Sequence, residues 1–244
     1  MVSRTGLIPG RILQRYKRFL ADVALEDGSV VTAHCTNTGT MRSCWAPGDL
    51  TLLEPAANPD RKLKYTWLAC RREKAWVGVD TGIPNKVVAE AARLDRLPGL
   101  AGLHDVRTEV RYGAESSRID VLARDGEGRL VYLEVKNSTL NLDGTACFPD
   151  AVTSRGTKHL RELQGMVAEG HRAAVVFFLN RDDVRAFDAA REIDPDYAAE
   201  LDRAAQNGVM VLPVGVRLEA ESEKNGTWSL EWHLTGLLPW LKRA

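Results

Sequence analysis

Two short segments carry the residue types of metal-assisted phosphodiester chemistry. In Ser117-Arg118-Ile119-Asp120-Val121 a carboxylate sits within a strand-like run, and alternation sends Ile119 and Val121 to the face opposite Asp120. Val131-Tyr132-Leu133-Glu134-Val135-Lys136 alternates strictly, so Val131, Leu133 and Val135 share one face while Tyr132, Glu134 and Lys136 share the other. Asp125-Gly126-Glu127-Gly128 between them is a hairpin signal, and pairing through it brings Asp120 to the face of Glu134 and Lys136. Asp120, Glu134 and the backbone carbonyl of Val135 are hard oxygen ligands suited to Mg²⁺ or Mn²⁺. Such an ion stabilises charge on a phosphodiester and lowers the pKa of a bound water. Lys136 can orient that water or neutralise the developing phosphorane, and Glu90, on the preceding helix, offers a further carboxylate. The tripeptide Glu-x-Lys is weak by itself, and a surface ion pair on an edge strand is the plainer alternative. Against that alternative, Leu130 to Val135 is strongly apolar and reads as a central strand, where charges are costly unless paired or metal-bound.

Those side chains need a helix before them and further strands beside them. Val87, Val88, Ala91, Leu94 and Leu97 recur at helical spacing after Thr81-Gly82-Ile83-Pro84, until Pro98-Gly99 ends the run. Strands are expected over Asp105 to Tyr112, Arg118 to Ala123 and Leu130 to Lys136. A helix follows from near Ser154 through Leu160, Leu163, Met166 and Val167, then a buried strand at Ala173 to Leu179. A helix at Tyr197 to Ala205 and a strand at Val209 to Val216 complete the order α-β-β-β-α-β-α-β, a mixed sheet flanked by helices. Ahead of this unit come five apolar runs parted by turn residues: Phe19 to Val23, Val30 to Ala33, Leu50 to Leu53, Tyr65 to Cys70 and Trp76 to Val79. Their pattern is that of a small β-barrel such as the OB type, many of which bind oligonucleotides. The expected fold is α+β, mixed, with a five-stranded OB-like barrel over residues 1–84 and an α/β domain over 85–244.

Charge divides along the same line. Lys and Arg outnumber Asp and Glu by 12 to 8 over residues 1–84 and are outnumbered 21 to 25 over 85–244, although the whole chain is neutral. A basic part that grips phosphates joined to an acidic part that holds carboxylates is one reading, and chance asymmetry is the other. No apolar run approaches a bilayer span and the first ten residues lack a secretory core, so a cytoplasmic protein with no membrane contact is expected. Cys35, Cys44, Cys70 and Cys147 have no Cys-x-x-Cys spacing, and free thiols are expected rather than disulfides or a zinc loop.

Several longer strings resemble a known family. They are Asn37-Thr38-Gly39-Thr40-Met41, Arg61-Lys62-Leu63-Lys64-Tyr65-Thr66-Trp67, Trp76-Val77-Gly78-Val79-Asp80-Thr81, Ser117-Arg118-Ile119-Asp120 and Glu134-Val135-Lys136-Asn137. Phe148-Pro149-Asp150-Ala151-Val152-Thr153-Ser154-Arg155-Gly156-Thr157-Lys158-His159-Leu160 completes the set, and together the strings resemble the sugar fermentation stimulation protein A family over nearly the whole chain. The resemblance implies an N-terminal OB-like domain and a C-terminal PD-(D/E)xK nuclease-like domain, with Asp120, Glu134 and Lys136 at the nuclease-like positions. It also implies DNA binding and a role in regulating sugar-utilisation genes. Three functions follow: a Mg²⁺-dependent DNA nuclease, a non-catalytic DNA-binding regulator that retains the nuclease frame, and an RNA-processing nuclease.

Candidate nucleic-acid contacts are Arg11, Arg15, Lys17 and Arg18, with Tyr16 and Phe19 interleaved for stacking, and Arg61, Lys62 and Lys64 beside Tyr65 and Trp67. Each group reads equally well as a solvated strand with core aromatics. Arg118 joins them beside Asp120, and Arg155 and Lys158 open the helix in which Lys158 or His159 can face the site. Asp150 is a loop ligand or a plain turn former. Trp228, Trp232 and Trp240 belong to the core or to a homodimer contact.

Overall fold

A computed structural model describes residues 2–112 and 117–242. Its first strand, β1 (Val2–Tyr16), is followed by β2 (Leu20–Leu25), β3 (Val30–His34), β4 (Leu50–Pro55), β5 (Tyr65–Arg72) and β6 (Ala75–Gly78). Pairing runs β1-β2-β3-β5-β4 and returns to β1, which closes a five-stranded barrel in which β3 and β5 are parallel. Ile12, Val23, Leu53 and Trp67 fill it, with Cys35, Met41 and Cys44 from the long loop after β3. Gly10 pairs with both β2 and β4, and a Cβ there would meet Val23 Cγ1 at 2.5 Å, so closure needs glycine at this crossing. The sequence reading started the barrel at Phe19 and counted Trp76 to Val79 as its fifth strand. The fifth is instead β1, whose glycines, Pro9 and basic residues break up any apolar run, while β6 pairs with β5 outside the ring.

The second unit contains α1 (Ile83–Arg93), β7 (His104–Tyr112), β8 (Ser117–Arg124), β9 (Leu130–Ser138), β10 (Leu140–Leu142), β11 (Thr145–Phe148) and α2 (Ser154–Ala168). It continues with β12 (Arg172–Leu179), β13 (Ala186–Ala189), α3 (Pro195–Gln206), β14 (Met210–Ser222) and β15 (Trp228–Leu237). Its sheet order is β15-β14-β12-β9-β8-β7, with β9, β12 and β14 parallel. Alternation divides the central strands between two cores. Val131, Leu133 and Val135 pack toward α1, while Tyr132 joins Leu160, Leu163 and Leu201 beneath α2 and α3. Thr153 caps α2 by accepting from Gly156 N, and Asp194 caps α3 by accepting from Tyr197 N. Strands β10, β11, β13 and β15 exceed the sequence reading, because the first three are short and β15 alternates polar residues between two partners. Helix α1 also stops short of Leu94 and Leu97. Asp95 turns left-handed at φ 52° and binds Gly102 N, and Leu97 reaches the same core from the loop.

The two units share a seam. The opening residues of β1 pair with β15, making one continuous sheet from barrel to α/β domain. Trp232 of β15 is buried within it, and Trp228 packs edge-on to Trp76. Among the described residues no helix is long and apolar enough to cross a membrane.

Candidate metal centre

The antiparallel pairing of β8 with β9 runs from Arg124↔Leu130 to Val121↔Leu133 and stops there. The next pair would be Asp120 with Glu134. Instead Asp120 Oδ2 accepts the backbone N–H of Val135 at 2.7 Å, and its Oδ1 accepts from Asn85 Nδ2 on α1 at 2.7 Å. The strand rolls at this point: Ile119 belongs to the core beneath α2, and Val121 to the core beneath α1. They do not share the face opposite Asp120 as alternation suggested: pairing with β9 stops at Val121, and on the β7 side Glu109, between the partners of Ile119 and Val121, is left-handed at φ 55°. Asp120 borders a cleft of about 700 Å³ between α1, β7 and the start of β1, lined also by Arg4, Asn85, Lys86, Glu90 and Arg93.

Glu134 is 3% exposed. Its Oε1 accepts from Lys136 Nζ at 2.6 Å and contacts His159 Nδ1 of α2. Its Oε2 is buried and has no hydrogen-bond partner. Burial alone would raise the Glu134 pKa, but the Lys136 charge and the His159 contact outweigh it and hold the carboxyl below its ordinary value. Asp120 goes the other way. Burial and then the charge of Glu134 push it up to about 6, against the opposing Val135 N–H, Lys136 and Asn85. Burial, followed by Glu134, Glu162 and Asp120, also raises the Tyr112 hydroxyl.

This donor set fits a divalent cation. An orphaned, buried carboxylate oxygen costs free energy that a cation would recover, and a cation would relieve the Asp120–Glu134 repulsion. Among the described residues no three His, Cys, Asp or Glu side chains form a ready-made cage. Carboxylate oxygens completed by waters are a donor set that hard divalent cations accept.

The sign of the Asp120 shift makes a test. Its folded value, about 6, lies above the ordinary 3.8, so protonation favours the metal-free fold. That contribution is full below the unfolded value and is lost as pH rises through about 6. In EDTA, the melting temperature of the wild type relative to Asp120→Asn should therefore rise as pH falls from about 7 to about 5. A difference that stays constant over this range would refute the buried, repelled carboxyl.

Residues 13–79 match the sequence profile described as the SfsA N-terminal OB domain, and residues 82–222 match the sugar fermentation stimulation protein RE domain. The chain belongs to the sugar fermentation stimulation protein family. The homolog from Rhodospirillum rubrum is 49% identical over 230 residues, covering 90% of this chain and 94% of the relative. That of Thioalkalivibrio sulfidiphilus is 50% identical over 219 residues, covering 89% and 92%. The solved structure of Pyrococcus furiosus SfsA in complex with Ca²⁺ is 27% identical, with a TM-score of 0.83 over 98% of this chain and 97% of that one. The OB barrel and the nuclease-like domain are thus the fold of the family.

In this family member the other named residues are dispersed. Glu90 lines the Asp120 cleft and lies 3.8 Å from Arg93. Arg155 is exposed, but its Nε donates to His159 Nε2 at 3.3 Å, so it reaches the site through the histidine. Lys158 is half-buried in the same helix turn. The Arg15 guanidinium donates to the carbonyls of Arg18, Asn37 and Gly39, which makes it a clamp for the barrel loops. Arg61 is held by Thr66 Oγ1, Lys64 by the Pro59 carbonyl, and Arg11 donates to the Gly48 carbonyl. Asp150, read as a loop ligand or a turn former, has a further role in the fold. It accepts from Met41 N and Thr40 Oγ1, and a Cβ on Gly39 would strike its carboxylate at 2.3 Å, so it docks the barrel loop onto the segment before α2. Sequence reasoning missed Asn85 and Arg111. Nothing in its spacing marks Asn85, whereas Arg111 follows from hairpin register, which sets it directly across from Arg118.

Proposed function

We propose that this protein is a divalent-metal-dependent phosphodiesterase that acts on DNA. The observation that carries the reading is Glu134, a buried carboxylate with one oxygen held by Lys136 and His159 and the other without a donor, on the strand next to Asp120. When bound between these two carboxylates, Mg²⁺ or Mn²⁺ would polarise the phosphodiester and make water nucleophilic near neutral pH. Asn85 and the Val135 N–H hold Asp120 in place, and the Val135 carbonyl is the expected third protein ligand. Lys136 stands against Glu134 Oε1, where its charge offsets negative charge that builds on phosphate oxygens.

DNA is the proposed substrate because the cleft beside Asp120 is lined by Arg4, Lys86 and Arg93, and Arg111 and Arg118 face each other exposed on β7 and β8. Like charges directly across a strand pair destabilise a sheet. Neither guanidinium has a partner among the described residues, and a phosphate is the group both would accept. On the barrel, Lys17 and Arg18 occupy the β1–β2 turn next to Phe19, which is 48% exposed, and with the exposed Lys62 they are the barrel cations assigned to phosphate in this reading. Arg111→Ser and Arg118→Ser should each weaken DNA binding, measured with Ca²⁺ in place of Mg²⁺, and flatten the log–log salt slope by about 0.9. Their melting temperatures should not fall. A variant with an unchanged slope does not touch phosphate.

The decisive experiment incubates the protein with plasmid, single-stranded DNA and RNA, each with Mg²⁺, Mn²⁺ or EDTA. Metal-dependent cutting of DNA is expected. Cutting of RNA alone would replace the substrate, and salt-sensitive DNA binding without cutting would make the protein a non-catalytic binder.

A further inference from the structure

Resting on the metal-dependent reading above, we propose that Arg155 and His159 of α2 form a positioning pair that presents Glu134 to its cation. His159 acts by direct contact, and Arg155 acts by fixing the histidine tautomer. A buried carboxylate is normally satisfied on both oxygens. Here Lys136 and His159 converge on Oε1, and Oε2 is left bare in a 3%-exposed side chain. This one-sided arrangement depends on which imidazole nitrogen carries hydrogen. Arginine can only donate, so the 3.3 Å contact from Arg155 Nε makes His159 Nε2 an acceptor. The ring hydrogen then sits on Nδ1 and is donated to Glu134 Oε1. The opposite tautomer would set a ring lone pair against the carboxylate and turn Oε1 away. Arg155 and His159 are four residues apart on one helix face, and the helix start is held by the Thr153 cap and by Asp194, which accepts from Thr153 N.

A histidine that served only to pack the core would, once removed, lower stability and leave the metal affinity of the folded protein unchanged. Calorimetric titration of the full chain with Mn²⁺ alone separates the two roles, with folding checked by thermal melts. His159→Leu should weaken Mn²⁺ binding by about 10- to 100-fold, the range for groups that orient a metal ligand. His159→Asn should restore binding to within a few-fold, because its amide nitrogen donates from close to the Nδ1 position. Arg155→Met, on the exposed side of the helix, should weaken binding in the wild-type background and have no effect in the His159→Asn background, since asparagine has no tautomer to set. Wild-type affinity in His159→Leu, or additive losses from Arg155→Met and His159→Asn, would overturn the pair. Arg155→Met decides the matter even if His159→Leu fails to fold. A wild-type protein that binds no Mn²⁺ would remove the metal reading itself.

Discussion

Glu134→Gln should lower Mg²⁺-dependent DNA cleavage by about a thousandfold, equivalent to about 4 kcal/mol of lost transition-state stabilisation. The substitution preserves shape, and the remaining amide oxygen can still accept from Lys136 and His159, so the fold should survive. What changes is the other atom. In the wild type, Oε2 is a buried anionic oxygen with no donor, and in the variant a buried NH₂ points where a cation would bind. The cation then loses a ligand and meets a donor, while Lys136 loses its counter-charge. Turnover of plasmid with Mg²⁺ and Mn²⁺, together with titration of each ion, measures both consequences. Activity within tenfold of wild type would mean that Glu134 is a structural partner of Lys136 and that the metal, if any, lies elsewhere.

The largest effect on stability is expected at Asn180. It follows β12 and is fully buried. Its side chain accepts from Trp232 Nε1 at 3.1 Å and donates to Asn137 Oδ1 at 3.1 Å, while its backbone binds Ser138 and Gly78. It therefore ties β9, β12 and β15 to β6, the strand beside the barrel. Gly78 is required opposite it, since a Cβ there would lie 2.2 Å from Asn180 Oδ1. Asn180→Leu keeps the branching at Cγ and leaves the buried Trp232 N–H and the half-buried Asn137 amide oxygen without partners, at about 1–3 kcal/mol each. A total near 4 kcal/mol corresponds to a fall in melting temperature of roughly 8–16 °C for a chain of this size. Trp232→Phe removes one of the two orphans, so the double variant should lose less than the sum of the singles. A fall below about 1 kcal/mol would show that the seam between the two units does not depend on this residue.

Much of the site was legible because strand alternation is a local property. Val131 to Lys136 shows Glu134 and Lys136 side by side before any fold is known, and their 2.6 Å contact follows from being two residues apart on one strand. The hairpin turn at Asp125 to Gly128 likewise sets β8 against β9, and the long family strings mark both domains. Other features are not local. Alternation breaks around Asp120 because β9 pairs only as far as Val121 and Glu109, across from Asp120 on β7, is left-handed, and only the neighbouring strands decide such irregularities. Arg15 reads as a phosphate contact in the sequence, whereas in the fold its guanidinium donates to the carbonyl of nearby Arg18 and to those of Asn37 and Gly39 in the loop after β3. Asp150 looked like a turn former until the barrel loop closed on it across more than a hundred residues. The sequence alone determined which side chains share a strand face and which elements carry them. Only the tertiary structure decided that His159 joins Lys136 at Glu134 Oε1 and leaves Oε2 bare, because that partner comes from a segment brought in by packing, and its separation in sequence holds no period that could announce it.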